Sequence, residues 1–487
     1  MRDNNSSPRV AVIGLGALGL VTLKDLAEEG FEVVGFERNS YVGGLWHFTE
    51  EDKTSVLPEH FRLLMVTATH GCFTDFPFPD ETPSGCPAGE VDKYLESYAD
   101  HFGLRPKIRL NTDVTRVTRD DAREKWVVDI DGSASELFDK VVIATGVNQK
   151  PHIPVFKGFE LFTGDKVHSR AYKRPKVFKG KNVLVIGLGN SGADTAVSLV
   201  GHAKNIYLSH REGAYILPRT VKGRSIDHSL TARVCKTASS PSGLEWGLSP
   251  APSLKYTIPV VSDELIHALS SGAVDSTTAL RPPSRRLDDI DAVVLCTGYR
   301  TDFGLVERRF DPTRATTPRW AAAPGSRGKP LPRLYRNVFS LDRPAELAFM
   351  GCAAFASPRV PAAWKAGGGA ALLLPAREEM ERAIDRHHEW ISGVAERVNV
   401  FPSIVEGPEW MAWADRTAGT RVDEYLGWGW KGWWFWLTDY RFCNLLMSGV
   451  YSPHLYRVFD GRRKKWDGAR EEIEKVNRRI AEKPKTA

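Results

Sequence analysis

Two glycine clusters hold the chemistry-bearing spacing of this chain. Gly14, Gly16 and Gly19 lie in VAVIGLGALGL, and Gly187, Gly189 and Gly192 lie in VLVIGLGNSGAD. Each comes after an apolar β-branched run and opens a stretch that reads as a helix. Glycine there permits a tight turn, a close approach of backbone to a pyrophosphate, and close packing of helix on strand. The helix N-terminus then presents N–H groups and a positive dipole end to the phosphates. Two such turns imply two dinucleotides, and two dinucleotides imply electron transfer between them. A third literal match, Gly427-Trp-Gly429-Trp-Lys-Gly432, has no strand before it and is read as coincidence.

The residues downstream of each turn separate the ligands. After the first, the run FEVVGFER ends in Glu37 and Arg38, with Glu37 18 residues beyond Gly19. An acid there accepts hydrogen bonds from ribose hydroxyls and repels a 2′-phosphate, which suits FAD or NAD. The same count from Gly192 lands on His210, with Arg211 next. A guanidinium pairs with a 2′-phosphate in a bidentate way, so the second site reads as an NADPH site. An ordinary surface charge is the alternative for Arg211.

The elements that position these residues can be read from periodicity. Strands are expected at 9–13, 32–36, 125–130, 139–144 and 182–186, with further strand near 107–117 and helices at 17–29 and about 90–102. Ala144-Thr145-Gly146 closes one buried strand, and Thr297-Gly298 closes another, DAVVLCTGY. The fold class is α/β: two Rossmann-like dinucleotide-binding domains, the NADPH domain inserted into the FAD domain. The expected boundaries are residues 1–176 for the first part of the FAD domain, 177–299 for the NADPH domain, and 300–487 for the second FAD part with a Trp-rich C-terminal region. Residues 273–289 and 313–333, polar and proline-bearing, read as surface loops.

Composition narrows the function class. In 487 residues the formal charge is +6, with no long block of like charge, so nucleic acid is not an expected partner. Six cysteines form no CxxC pair, which argues against a zinc site and a redox disulfide and for a reducing, cytoplasmic setting. No run of 18 apolar residues signals a membrane span. His387-His388-Glu389 reads as a polar helix face rather than a metal site. The segment LGWGWKGWWFWLTDY places Trp428, Trp430, Trp433, Trp434 and Trp436 close together. Core or pocket wall is the expected role; membrane surface and subunit contact are the alternatives, and a homodimer stays open.

Further segments then fall into register: ERNSYVGGLW (37–46), FTDFPFP (73–79), LYRNVF (334–339), LAFMG (347–351), and Phe162 to Tyr172, which fits F-x-G-x-x-x-H-x-x-x-Y. In this order the chain resembles the flavin-containing monooxygenases, in particular fungal members that decorate secondary metabolites. The resemblance implies FAD held by Gly14, Gly16, Ala17, Leu18, Gly19, Glu37, Arg38, Gly44, Leu45, Trp46, Thr145 and Gly146. It implies NADPH held by Gly187, Gly189, Asn190, Ser191, Gly192, Arg211, Thr297 and Gly298. It further implies insertion of one oxygen atom from O2 into a small organic substrate through a flavin C4a-hydroperoxide. Tyr172 favours this family over the related Baeyer–Villiger enzymes, which usually carry Trp there. Ester insertion, an uncoupled oxidase, and a degenerate nucleotide-binding flavoprotein are the rival outcomes. His168 and Tyr172, four apart, would share a face if helical, in a mainly architectural role. In one place the chain departs from the family: ten residues before Asp75, where an asparagine is expected, stands Met65, with Thr67, Thr69 and His70 as neighbouring candidate donors.

Overall fold

The structure, a computed structural model, describes residues 7–49, 71–83, 85–221, 224–225, 248, 251, 256–278, 287–353 and 374–482. A seven-stranded sheet organises the first unit. Its order places Leu334–Tyr335, Phe339–Ser340 and Leu347–Phe349 beside Lys140–Ile143, then Arg9–Ile13, Glu32–Phe36 and Ile108–Arg109. The strand before the first glycine turn pairs in parallel with Glu32–Phe36 on one side and Lys140–Ile143 on the other. Its β-branched side chains are buried on both faces, as a covered parallel sheet requires: Val10, Ala11 and Val12 are at most 1% exposed. Strand Leu347–Phe349 joins Lys140–Ile143 in parallel, so chain from beyond residue 300 completes this sheet.

The second unit repeats the plan in a five-stranded parallel sheet, ordered Asp275–Thr278, Asn205–His210, Asn182–Ile186, Ala292–Leu295, Asp165–His168. In each unit the glycine turn therefore sits where strand order reverses, at the crevice outside the strands' C-terminal ends. A three-stranded antiparallel sheet, Val114–Asp120, Lys125–Ile130 and Glu136–Phe138, packs on the first unit through Val117, Trp126, Val128 and Phe138. Two crossing segments join the units, and they pair with each other: Lys150–Pro151 lies antiparallel to Tyr299–Arg300.

Several expectations need correcting. Strand Asp165–His168 lies in the second sheet, ahead of the boundary expected at 177. Asp275–Thr278, read as loop, is an edge strand; Asp, Ser and Thr suit an edge that half faces water, so no apolar alternation betrays it. Within 313–333, Pro318–Ala322 is a helix, and Trp320 and Leu331 are fully buried against Ile391 and Val394 of helix Arg377–Ala395. On that helix His388 faces inward, 3% exposed, with its Nε2 against the Pro332 carbonyl oxygen at 3.1 Å. Burial and the neighbouring His388 pull His387 down to about 4. The pair is thus a neutral packing element rather than a polar face. The Trp-rich segment, expected as core or pocket wall, is turned to the surface instead: on helix Trp430–Thr438, Trp430, Trp433, Trp434 and Leu437 are 74, 52, 63 and 67% exposed.

Candidate functional site

The first glycine turn is built by steric necessity. Gly14 adopts φ +89°, and a Cβ there would lie 2.8 Å from the Ala144 carbonyl oxygen. A Cβ on Gly19 would stand 1.9 Å from the Gly14 carbonyl oxygen, so only glycine lets the helix Ala17–Glu28 seat on the strand. The loop with the short turn Gly44–Trp46 lies directly on this motif. Gly43 N–H donates to the Leu15 carbonyl at 3.0 Å, and Gly16 bridges Gly43. Over Gly16 a Cβ would meet only the Gly44 Cα, at 3.8 Å. No side chain caps the helix that starts at Ala17, and its first-turn N–H groups face the cradle.

Glu37 ends strand Glu32–Phe36 and is 5% exposed. Its Oε2 accepts from Leu15 N–H at 2.8 Å, and its Oε1 accepts from the backbone N–H and side-chain amide of Asn39 at 3.0 and 2.8 Å. These bonds fix the carboxylate beside the turn and leave lone pairs for hydroxyl donors. Arg38 is exposed next to it. Thr145 and Gly146 come after Ala144 at the end of the neighbouring strand, and Gly146, at φ +82°, has open space around its missing Cβ. The fingerprint, Glu37, Gly44–Trp46 and Thr145–Gly146 thus surround one cradle that fits a dinucleotide. Gly351, the last residue of LAFMG and not among the expected site residues, closes the rim: it has φ +98° and would set a Cβ 3.4 Å from Leu18 and 3.6 Å from Val147.

The second turn copies the first. Gly187 has φ +112° with the Cys296 carbonyl oxygen 2.4 Å from a notional Cβ, and a Cβ on Gly192 would lie 1.9 Å from the Gly187 carbonyl oxygen. Gly189 has nothing within 4 Å, so the space over it is open, as a bound pyrophosphate needs. Asn190 and Ser191 begin the helix Asn190–Leu199, whose N-terminus no side chain caps. Asn190 is pinned by donation from Val261 N–H at 3.1 Å. Thr297 and Gly298 lie alongside, because the Gly187 turn abuts Cys296 and Thr297.

His210 is not a ligand candidate: it is 4% exposed, and its Nε2 meets Ser276 Oγ at 2.9 Å. Arg211, the next residue, is exposed and belongs to a cluster of positive charge that linear spacing does not reveal. Burial and the charges of Arg327, Arg300 and Arg211 push the Lys329 ammonium down to about 8. Burial and the Arg211 charge lower Arg327 as well, and Glu212, 3.4 Å from it, offsets only part of this. His152 is likewise lowered by burial and then by Arg300, Lys329 and Arg211. Cations gathered this closely repel one another in the free protein and gain most from a polyanion.

His168 and Tyr172 do not share a helix face; His168 ends a strand, and a turn separates them. His168 Nε2 meets the Gly298 carbonyl oxygen at 3.1 Å, while Tyr172 is 1% exposed with its hydroxyl 2.6 Å from Ser198 Oγ on the second fingerprint helix. Both therefore fasten the crossing to the second turn. Asp75 of FTDFPFP is also structural, being buried between Lys24 and Arg457. Met65, Thr67, Thr69 and His70 lie outside the described residues. Among the described residues no cluster of His, Cys, Asp or Glu could hold a metal ion, and no helix is long and apolar enough to cross a membrane.

Comparison with known proteins agrees with this geometry. The profile of the FMO-like family, flavin-binding monooxygenase-like proteins, matches residues 7–315. Monooxygenase aurF of Gibberella zeae is 42% identical over 523 residues, covering 97% of this chain and 98% of that protein. Flavin-containing monooxygenase 5 of Oryctolagus cuniculus is 32% identical, with 97% of this chain and 92% of that protein covered. In three dimensions the chain is similar to S-allyl-L-cysteine S-oxygenase from Allium sativum, with a TM-score of 0.62 at 19% identity over 97% of this chain and 98% of that one. The chain belongs to the flavin-binding monooxygenase family and is an oxidoreductase that works with FAD and NADPH.

Proposed function

We propose that this enzyme oxygenates a small organic molecule at a soft nucleophilic centre, an amine nitrogen or a sulfide sulfur. FAD would lie over the turn Gly14–Gly19 and NADPH over Gly187–Gly192. Residues 1–176 with 300–487 would form the FAD lobe, and 177–299 the NADPH lobe with strand 165–168 added to its sheet. The observation that carries this reading is the duplication itself: two glycine turns of the same build, each uncapped at its helix, with an acid after one and cations after the other.

When bound, the pair supplies hydride transfer and activation of O2, so the oxidising power belongs to the cofactors. The side chains bind and orient. Glu37 holds the adenosine ribose of FAD. Gly14 and Gly19 keep the strand–helix junction tight enough for backbone N–H groups to reach the pyrophosphate. Tyr172 and His168 fix the crossing between the two turns, which sets how the two rings meet. Tyr172, where the Baeyer–Villiger relatives usually carry Trp, favours nitrogen or sulfur oxygenation over ester insertion.

On the NADPH side, Arg211 and Lys329 would flank the 2′-phosphate. Removing one charge-assisted contact costs roughly 1.5–3 kcal/mol, about ten- to a hundredfold in affinity. Arg211→Ala and Lys329→Ala should each weaken NADPH by that factor and leave NADH nearly unchanged in anaerobic titrations. Lys329 adds a pH signature. Its ammonium titrates at about 8 in the free protein and is held protonated by a bound phosphate, so NADPH affinity should fall as pH rises above that value. Lys329→Ala should flatten this limb; equal losses for NADH and NADPH would place both residues outside the phosphate site.

Met65 bears on coupling. A side-chain amide donates hydrogen bonds; a thioether cannot. Met65→Asn should therefore lower the hydrogen peroxide released per NADPH consumed, with oxygen uptake as the cross-check. An unchanged ratio, with flavin bound and reducible, means that position 65 does not govern coupling.

A further inference from the structure

The positive cluster beside the second turn holds one cation more than the 2′-phosphate engages. Arg327 is already occupied: its guanidinium reaches Glu212 at 3.4 Å and the Asn399 side-chain oxygen at 2.7 Å. Arg211, Lys329 and Arg300 have no carboxylate within ion-pair distance among the described residues. Arg211 and Lys329 are accounted for by the 2′-phosphate; Arg300 is left over. Strand order says where it stands. Asn182–Ile186, which leads into the turn, is flanked by Asn205–His210 on one side and by Ala292–Leu295 on the other. Arg211 follows the first of these neighbours, and Thr297, Gly298 and Arg300 follow the second. The glycine turn therefore lies between Arg211 and Arg300. The space is open on the Arg300 side as well: Gly298, like Gly189, has nothing within 4 Å of a notional Cβ.

Arg300 is exposed, yet it is aimed. Its Nε donates to His152 Nδ1 at 3.0 Å. A guanidinium has no lone pair to offer, so Nδ1 must be the acceptor, and the imidazole is neutral with its proton on Nε2. Burial, and then the charges of Arg300, Lys329 and Arg211, hold His152 below its ordinary value and keep that lone pair available at neutral pH. The backbone fixes His152 in turn. Its N–H donates to the Gly298 carbonyl at 2.9 Å, and its carbonyl accepts from the Thr297 hydroxyl. The strand pair Lys150–Pro151 with Tyr299–Arg300 holds the two segments side by side. An unbroken series of bonds thus runs from Thr297 and Gly298 through His152 to the guanidinium. One of its five N–H donors is used, and the planar fork that remains matches two oxygens of a phosphate. A side chain held in this way gives up less freedom when the ligand arrives.

We propose that Arg300, aimed by His152, clamps the pyrophosphate of the nicotinamide dinucleotide from the side of the crossing, opposite Arg211, with His152 as its positioning residue. The proposal rests on the placement of NADPH over the second turn. Calorimetric titration of the flavin-loaded full chain with NADP⁺ and with NAD⁺ tests it, since both carry the pyrophosphate and neither reduces flavin. Arg300→Ala should weaken both by about ten- to a hundredfold and leave their ratio unchanged, whereas Arg211→Ala changes the ratio. Arg300→Lys, which keeps the charge, should recover part of the loss for both. His152→Ala should weaken both by about two- to tenfold. The double variant His152→Ala/Arg300→Ala should bind no more weakly than Arg300→Ala, because His152 acts only through that guanidinium. A loss confined to NADP⁺, no recovery in Arg300→Lys, or additive losses in the double variant each overturns the proposal. Wild-type affinity in Arg300→Ala, while Arg211→Ala and Gly192→Ala show their own losses, overturns the clamp and leaves the NADPH placement standing. Wild-type affinity in Gly192→Ala as well removes both.

Discussion

Gly192→Ala yields a protein that stays yellow but whose flavin NADPH no longer reduces. The added methyl would sit 1.9 Å from the Gly187 carbonyl oxygen and 3.6 Å from the Cys296 side chain. Neither side can yield cheaply. Gly187 is already held at φ +112° with the Cys296 carbonyl against it, and Gly187 N–H donates to the Ser209 carbonyl at 2.8 Å. The helix Asn190–Leu199 must therefore move off its strand, carrying its N-terminal N–H groups away from the pyrophosphate. Overpacking of this kind costs about 1–3 kcal/mol, occasionally more, so that affinity for NADPH and NADH alike should fall by about five- to 150-fold or beyond. That sets it apart from the selective loss expected of Arg211→Ala. Dithionite should still bleach the flavin, because the first cradle is untouched. Gly19→Ala, which meets the Gly14 carbonyl oxygen at the same 1.9 Å, should instead give a colourless protein. Wild-type rates of reduction by NADPH in Gly192→Ala would show that the turn is looser than its contacts imply.

The second large effect concerns stability. Lys24, on the first fingerprint helix, is 1% exposed, with its Nζ 2.5 Å from Asp75, 2.7 Å from Glu28 and 3.6 Å from Asp25. Arg457 reaches Asp75 at 2.7 Å and Arg463 reaches Asp25 at 2.7 Å, so the network ties that helix to FTDFPFP and to the C-terminal segment. Burial pushes Asp75 up, but Lys24 and Arg457 outweigh it and hold the carboxyl below its usual range. Lys24→Met leaves Asp75 to Arg457 alone and Asp25 to Arg463 alone, and loss of the charged hydrogen bond should destabilise by about 1.5–3 kcal/mol, read as a lower urea midpoint. The effect has a definite sign with pH. A carboxyl depressed in the folded state stabilises above its unfolded value and loses that contribution as pH falls through the folded one. The gap between wild type and Lys24→Met should thus be widest near neutrality and narrow on acidification. Lys24→Met/Asp75→Asn should recover part of the loss. Equal urea midpoints for wild type and Lys24→Met would mean that the network contributes nothing net.

The parts of the fold legible in the sequence are those whose cause is local. Glycine spacing after β-branched runs places both turns, and the strands Arg9–Ile13, Glu32–Phe36 and Asn182–Ile186 match their expected limits because buried parallel strands read as apolar runs. Glu37 is legible for the same reason: it is one strand away from its turn. The cation cluster is not, since Arg300, Lys329 and Arg327 reach Arg211 only through the crossing and through a proline-bearing stretch that reads as loop. Strand Asp275–Thr278 hides because an edge needs no apolar alternation. The Trp-rich helix misleads for a different reason. In a helix of 9 residues crowded with Trp the period is hard to read, and an apolar segment does not say whether it is buried or exposed.

In the proposed arrangement FAD on the first turn and NADPH on the second would meet across the crossing. Anaerobic titration of the purified protein with NADPH, followed through the flavin absorbance, tests that arrangement most directly. The expected result is a yellow protein bleached stoichiometrically by NADPH, requiring far more NADH for the same effect, and recoloured when oxygen is admitted. A colourless protein that takes up no FAD, or a yellow one that dithionite bleaches and NADPH does not, would contradict it.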